Sequence, residues 1–375
     1  MDRVRNTTRA PELVPYTSIS LVPKKLCCLV YVQLGKYEPK TLDLFANHAR
    51  LYSPNVEMIL ITDNLFNVEW PLSNVIVNTK KSEASIDLLR HHPYYKTLSE
   101  SYWLNTFDRL FALSCLTESA LIENLPIIHL ESDVLPFITS ETISFLNSNF
   151  TTLSVPKHDE MRGIGSIVFS PNLQELEKGL NNLEYLMKRN SKVINNDMEL
   201  LGFALNEGII QELPSHPSQY DSGDFKCPDG KRFLFDGAAF GQYLFGQDPF
   251  HQGNYRVSGY RNPGYCAKTN IEDFTFSITN QDGQPNLIGE FHKQKYVIAN
   301  LHIHSKELLP ELSSTNTRWM RAIGEANGTS ARLSEYVEEV SPHAQIPALL
   351  TRIQIARKNG VFKALVSLLL RKLKK

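Results

Sequence analysis

Apolar residues follow two rhythms along this chain. Unbroken runs of strand length lie at 26–32, 58–62, 75–77 and 127–130. A strand covered on both faces reads as such a run rather than as an alternation. Between these runs the spacing turns helical: 39–51 predicts a helix, and 98–116 places Tyr102, Leu110, Leu113 and Leu116 on one side of another. Strands alternating with helices predict an α/β domain, Rossmann-like, with a mainly parallel central sheet flanked by helices. Farther on, 165–170 predicts a strand, 172–189 and 197–205 predict helices, and 295–304 predicts a late strand. The stretch 214–264 is crowded with Pro, Gly, Asp, Asn and Tyr, the composition of long loops around a site.

This pattern divides the chain into a polar lead-in at 1–24, a domain at 25–310 and a helical region at 311–375. Within the domain, 25–156 and 157–310 form two halves. The last stretch differs in charge. From Ser341 to the end there are eight Lys or Arg and no acid, so the chain's 39 basic residues drop to 31 elsewhere, against 40 acidic. A mildly acidic body speaks against a nucleic-acid groove. In the tail, Phe362, Leu365, Val366, Leu369 and Leu373 recur at helical spacing among Lys363, Arg371, Lys372, Lys374 and Lys375. Such a helix suits the surface of an anionic membrane, or packing on the protein itself or a partner. Its apolar run, 364–370, is too short to span.

The first 23 residues contain no apolar segment of the kind found in a secretory leader or membrane anchor. The five cysteines (Cys27, Cys28, Cys115, Cys227 and Cys266) form no CxxC pair and suit a reducing compartment. The expectation is a cytoplasmic protein, peripheral on the inner face of the plasma membrane through its tail.

Candidate chemistry concentrates where the fourth strand ends, at Glu131-Ser132-Asp133. Ligands of open α/β sheets bind beyond the carboxyl ends of the strands, and Asp63 after the second strand falls at the same edge. Two carboxylates one residue apart can turn toward one hard cation; equally, they can be two solvated acids at a strand end. Late in the chain, Asn300-Leu301-His302-Ile303-His304-Ser305-Lys306 puts both histidines on one face of a strand. Neutral imidazole is a metal ligand and Lys a phosphate partner, while two exposed strand histidines are the plain alternative. Asp197 and Asp236 each stand where a helix N-cap is expected. Asp236 could instead be a general base for an acceptor hydroxyl. Arg109 lies on the 98–116 helix, where a surface salt bridge is the simplest use. Gly163-Ile164-Gly165 lacks the last glycine of a dinucleotide fingerprint, and neither a P-loop nor a nucleophile elbow occurs.

The run 127–133 resembles the DxD motif of GT-A glycosyltransferases, with Glu131 in place of the usual first Asp. The resemblance covers roughly 26–306. It implies a GT-A-like fold with a loop-rich acceptor region, and transfer of a sugar from a nucleotide-sugar donor, a UDP-sugar first among them. It further implies that Asp133, Glu131 and His302 or His304 hold Mn2+ or Mg2+, with Glu131 acting directly, through water or on the sugar. Val30, Tyr31, Gln33 and Asp63 are then expected at the base and ribose, Arg109 beside the metal-binding acids or the nucleotide, and Ser132 and Lys306 near the nucleotide's phosphates. Asp197 is expected beneath the donor sugar, and 197–253 around sugar and acceptor. The acceptor is expected to be a glycan or lipid-linked saccharide, in cell-surface polysaccharide or lipopolysaccharide assembly. Two other readings share the acids: a nucleotidyltransferase making activated sugars, for which Gln33-Leu34-Gly35-Lys36 is a poor loop, and a carbohydrate-binding protein on a decayed transferase fold.

Overall fold

The computed structural model describes residues 25–35, parts of 42–63, 74–77, 82–91, 102–118, 122–237, 239–245, 273–281 and 284–303. The lead-in, 246–272, His304, Lys306 and the basic tail lie outside the described residues.

The apolar runs are strands β1 (Cys28–Gln33), β2 (Glu57–Thr62), β3 (Asn74–Val77) and β4 (Ile127–Leu130). They pair in parallel in the order β3-β2-β1-β4. Alternate residues of one strand serve two cores. Leu29 and Tyr31 enter one with Met58, Leu60, Ile128 and Leu130, while Cys28, Val30 and Val32 enter the other with Ile59, Ile61 and Ile127. This two-sided burial is why the runs show no alternation. Helices α1 (Glu83–His91) and α2 (Tyr102–Ala112) cover the second core through Ala84, Leu88, Phe107 and Leu110.

Beyond β4 the sheet becomes mixed. Strand β5 (Val134–Pro136) leaves it, and helix α3 (Ser140–Asn149) follows, with Thr139 and Thr142 forming a reciprocal cap. Strands β6 (Ser154–Pro156) and β7 (Ile167–Ser170) return, with β7 antiparallel to both β4 and β6. Helices α4 (Leu173–Asn190) and α5 (Asp197–Asn206) then pack on the second core, and β8 (Gln211–Leu213) ends the seven-stranded sheet beside β6 and parallel to it.

The sequence does not announce the second, five-stranded sheet. Strands β10 (Phe274–Gln281), β11 (Gln284–Phe291) and β12 (Gln294–His302) form an antiparallel meander, with β5 on one side of β12 and β9 (Arg232–Phe235) beside it. Both β9 and helix α6 (Phe240–Phe245) fall within 214–264, expected as loops. Phe233, Phe235, Phe276, Tyr296 and Ile298 join this sheet to the first core.

Candidate metal centre

The same junction that divides the two sheets builds the site. Strand β4 delivers Glu131 at the carboxyl edge of the parallel strands, and the amide of Glu131 donates to Ser166 O (3.0 Å). The chain turns through Ser132 and Asp133, closed by Val134 N donating to Glu131 O (3.1 Å), and enters β5. Antiparallel pairing of β5 with β12 sets His302 opposite Val134, and Ile303 N donates to Asp133 O (2.8 Å). Register thus joins residues about 170 positions apart in sequence.

His302 Nε2 lies 3.3 Å from Glu131 Oε2 and 3.4 Å from Asp133 Oδ1. The other nitrogen, Nδ1, bonds to the carbonyl of Gly237, which fixes the ring so that Nε2 faces the two acids. Arg109 Nη2 holds the other oxygen of Glu131, Oε1, at 2.6 Å, and this pair is largely shielded from solvent rather than on the open surface. Burial alone would raise the pKa of Glu131, but Arg109 and His302 hold it down to about 2. Burial would lower that of His302; Asp133 and Glu131 overcome it and keep the imidazole well above its ordinary value.

The remaining expected residues take other places. Asp236 is buried, and its carboxylate accepts from the amides of Ala239 (2.7 Å), Phe240 (2.9 Å), Gly241 (2.7 Å) and His302 (2.9 Å). Four donors fill the lone pairs of a carboxylate. Asp236 therefore anchors β12 to the turn before α6. Asn300 locks the same turn, donating to Asp236 O and accepting from Asp236 N. The cap of α5 is Asn196, whose side chain accepts from Glu199 N (2.9 Å), so Asp197 is the first helical residue and not the cap. Asp197 is buried; burial pushes its carboxyl up to about 6, against the pull of Arg109 and with a further push from Glu131. The side chains of Val30 and Tyr31 are wholly buried in the two cores. Gln33 stands at the end of β1, and Asp63 accepts the amide of Gly35 (2.9 and 3.0 Å), holding the loop after that strand. Ser132 is half-buried in the turn between the acids.

Comparison with protein-family models and with curated proteins returns no match. Solved structures that resemble this chain include glycosyltransferases. One is GlyE of Streptococcus pneumoniae TIGR4, at 9% identity over 81% of this chain and 63% of that one, with a TM-score of 0.39. Its apo form is matched over only 48% of its length. Another is the galactosyltransferase LgtC in complex with donor and acceptor sugar analogues, at 14% identity over 52% and 77% of the two chains, TM-score 0.33. Mouse xyloside xylosyltransferase 1 matches at 10% identity over 54% and 94%, TM-score 0.32. At these scores the likeness bears on neither substrate nor mechanism, so function has to be read from the chemistry of the site.

That chemistry fits a divalent cation. One ligand atom each from Glu131, Asp133 and His302 lie within 4.8 Å of one another. Cis ligands of an octahedral ion with bonds near 2.1 Å stand about 3 Å apart, close to the 3.3 and 3.4 Å spacings seen here. Oxygen donors with one imidazole suit Mn2+ or Mg2+ better than a thiophilic ion.

Proposed function

We propose that this protein is a metal-dependent glycosyltransferase of GT-A type, moving a sugar from a nucleotide-sugar donor to a hydroxyl of a glycan or lipid-linked acceptor. The convergence of Glu131, Asp133 and His302 at the carboxyl edge of the parallel strands carries the reading. A bound Mn2+ or Mg2+ supplies Lewis-acid neutralisation of a leaving diphosphate. The chain's own residues supply the rest. Arg109 occupies one oxygen of Glu131 and leaves the other directed at His302 and the cation position. Gly237 O and the Asp236 carboxylate hold the ring and backbone of His302, so the ligand set is pre-ordered. In this reading Asp197 accepts or donates a hydrogen bond at a sugar hydroxyl, since a carboxyl with a pKa of about 6 samples both states near that pH. The loop held by Asp63 and Gly35 serves the nucleotide side.

The setting we propose, polysaccharide or lipopolysaccharide assembly at the inner face of the plasma membrane, rests on the composition of the tail alone. No helix among the described residues is long and apolar enough to cross a membrane. Flotation with anionic liposomes, comparing full-length protein with a chain ending at Ser341, tests the tail. Equal flotation would remove it as an anchor.

The test of the activity is a panel of nucleotide sugars with Mn2+ or Mg2+, read by thermal stabilisation and by hydrolysis, with Asp133→Ala beside wild type. A ligand at 100 times its dissociation constant stabilises by about 2.7 kcal/mol, well within reach of such an assay. Wild type should respond to at least one donor and Asp133→Ala to none. A wild type that responds to no nucleotide sugar with metal present sinks the proposal.

A further inference from the structure

One imidazole at this edge has no assigned work. Strand β6 is antiparallel to β7, which is antiparallel to β4, so β6 and β4 point the same way and end at the same edge. The chain beyond β6 continues extended, Lys157 bridging Gly163, and reverses at 158–162, where His158 N and Asp159 N both donate to Arg162 O. The reversal is held firmly. Asp159 pairs with Arg162, Gly163 N donates to Met198 O (2.9 Å), and Gly202 of α5 lets the backbone of Met161 approach where no Cβ would fit.

Its orientation is set by neighbours. A Cβ placed on Gly237 would stand 3.3 Å from Ile164 Cγ1 and 3.7 Å from Pro156 Cβ, so Pro156 faces the Gly237 turn that holds His302. Two residues farther along an extended chain, His158 shares that face. The positive field of His302 is felt at His158, together with that of Arg162 and, in the opposite sense, Asp159. Burial is the larger influence, and together they lower its pKa to about 4, leaving a neutral ring at pH 7.

Nδ1 of His158 is fully buried, and neither ring nitrogen has a hydrogen-bond partner among the described residues; Nε2 is not sealed off. A neutral ring has one N–H. Placed on Nδ1 it would be a buried orphan donor, the rarest kind of unpaired group. The proton therefore belongs on Nε2. Two strand spacings, about 9–10 Å, separate β6 from β4 on the side away from β1 and its Gly35–Asp63 loop. That is the side away from the nucleotide.

We propose that His158 is a specificity-determining residue whose Nε2–H donates to a sugar hydroxyl beside the metal cluster. The proposal rests on the glycosyltransferase reading. The hydroxyl can come from the transferred sugar or from the acceptor, and the assay separates them. With Mn2+ present, UDP affinity is measured by calorimetry, hydrolysis of UDP-glucose, UDP-galactose and UDP-N-acetylglucosamine by UDP release, and transfer with a panel of methyl glycosides. His158→Ala should keep UDP affinity and lose about two- to twelvefold in kcat/KM, the range of one neutral hydrogen bond. Loss in hydrolysis and transfer alike assigns the donor sugar; loss confined to transfer assigns the acceptor. His158→Gln, which can place an amide N–H near the position of Nε2, should recover part of the loss.

Unchanged kcat/KM in both reactions, or an equal loss of UDP affinity, overturns the proposal. So does a 15N spectrum of the wild-type imidazole showing the Nδ1–H tautomer. Failure of the parent reading is separate, because there the wild type itself shows no metal-dependent response to any nucleotide sugar; that result overturns this proposal with it.

Discussion

Between Glu131 and Asp133 a proton and a metal ion compete for one nitrogen. Without metal, His302 Nε2 sits 3.3 and 3.4 Å from the two carboxylates, and their charge keeps the ring protonated well above the usual imidazole pKa. A cation can bind that nitrogen only after its proton leaves. From pH 6.5 up to the pKa of His302, each ion bound should therefore release about one proton, and affinity should rise about tenfold per pH unit, or about 1.4 kcal/mol. Glu131 adds nothing in this window, because Arg109 and His302 keep it ionised down to about pH 2 against the effect of burial. Asp197 titrates lower, near 6. The assay is calorimetric titration with Mn2+ at pH 6.5, 7.0 and 7.5, each in two buffers of different ionisation enthalpy. His302→Gln should bind more weakly and with little dependence on buffer or pH. A wild type that binds Mn2+ with no proton release, or a His302→Gln protein with undiminished release, would refute the assignment of this nitrogen as a ligand.

The same geometry sets three further outcomes. Arg109→Met removes one of two cationic partners of the buried Glu131 carboxylate, His302 remaining, and should destabilise the metal-free protein in urea unfolding by less than the about 3–5 kcal/mol of an unpaired buried charge, part of it recovered by saturating Mn2+. Asp197→Asn should gain on wild type as pH rises from 4 to 7 with chelator present. The folded pKa of Asp197 is raised from 3.8 to about 6, so wild type holds its full advantage below 3.8 and loses it as pH climbs through 6, by about 3 kcal/mol at most, whereas Asn does not ionise. Gly241→Ala drives a Cβ into three backbone atoms of His302 and should abolish thermal stabilisation by Mn2+. Gly165→Ala, whose Cβ meets Glu131 and Leu201 only at 3.7 and 3.8 Å, should retain it.

Legibility in the sequence tracks how local each determinant is. The runs at 26–32, 58–62 and 127–130 are strands because burial on two faces demands uninterrupted apolar residues, a requirement written into adjacent positions. The Glu131-Ser132-Asp133 triplet was visible for the same reason, since both acids leave one strand end. Strands β5, β6 and β8 have only three residues each and carry no periodicity to detect. The role of Asp236 depended on amides at 239–241 and 302, and that of Arg109 on a carboxylate 22 residues away. His158 has no local signature at all.

By itself, then, the chain's order of residues determined the parallel half of the sheet and the edge at which its acids gather, because those depend on neighbours along a strand. Only the tertiary structure decided that His302 faces those acids, that Asp236 supports the fold at the site, and that His158 lies on the same edge. The first and third depend on backbone pairing between strands, and the second on amides at 239–241 and 302 that reach the Asp236 carboxylate; neither leaves a mark in one segment alone.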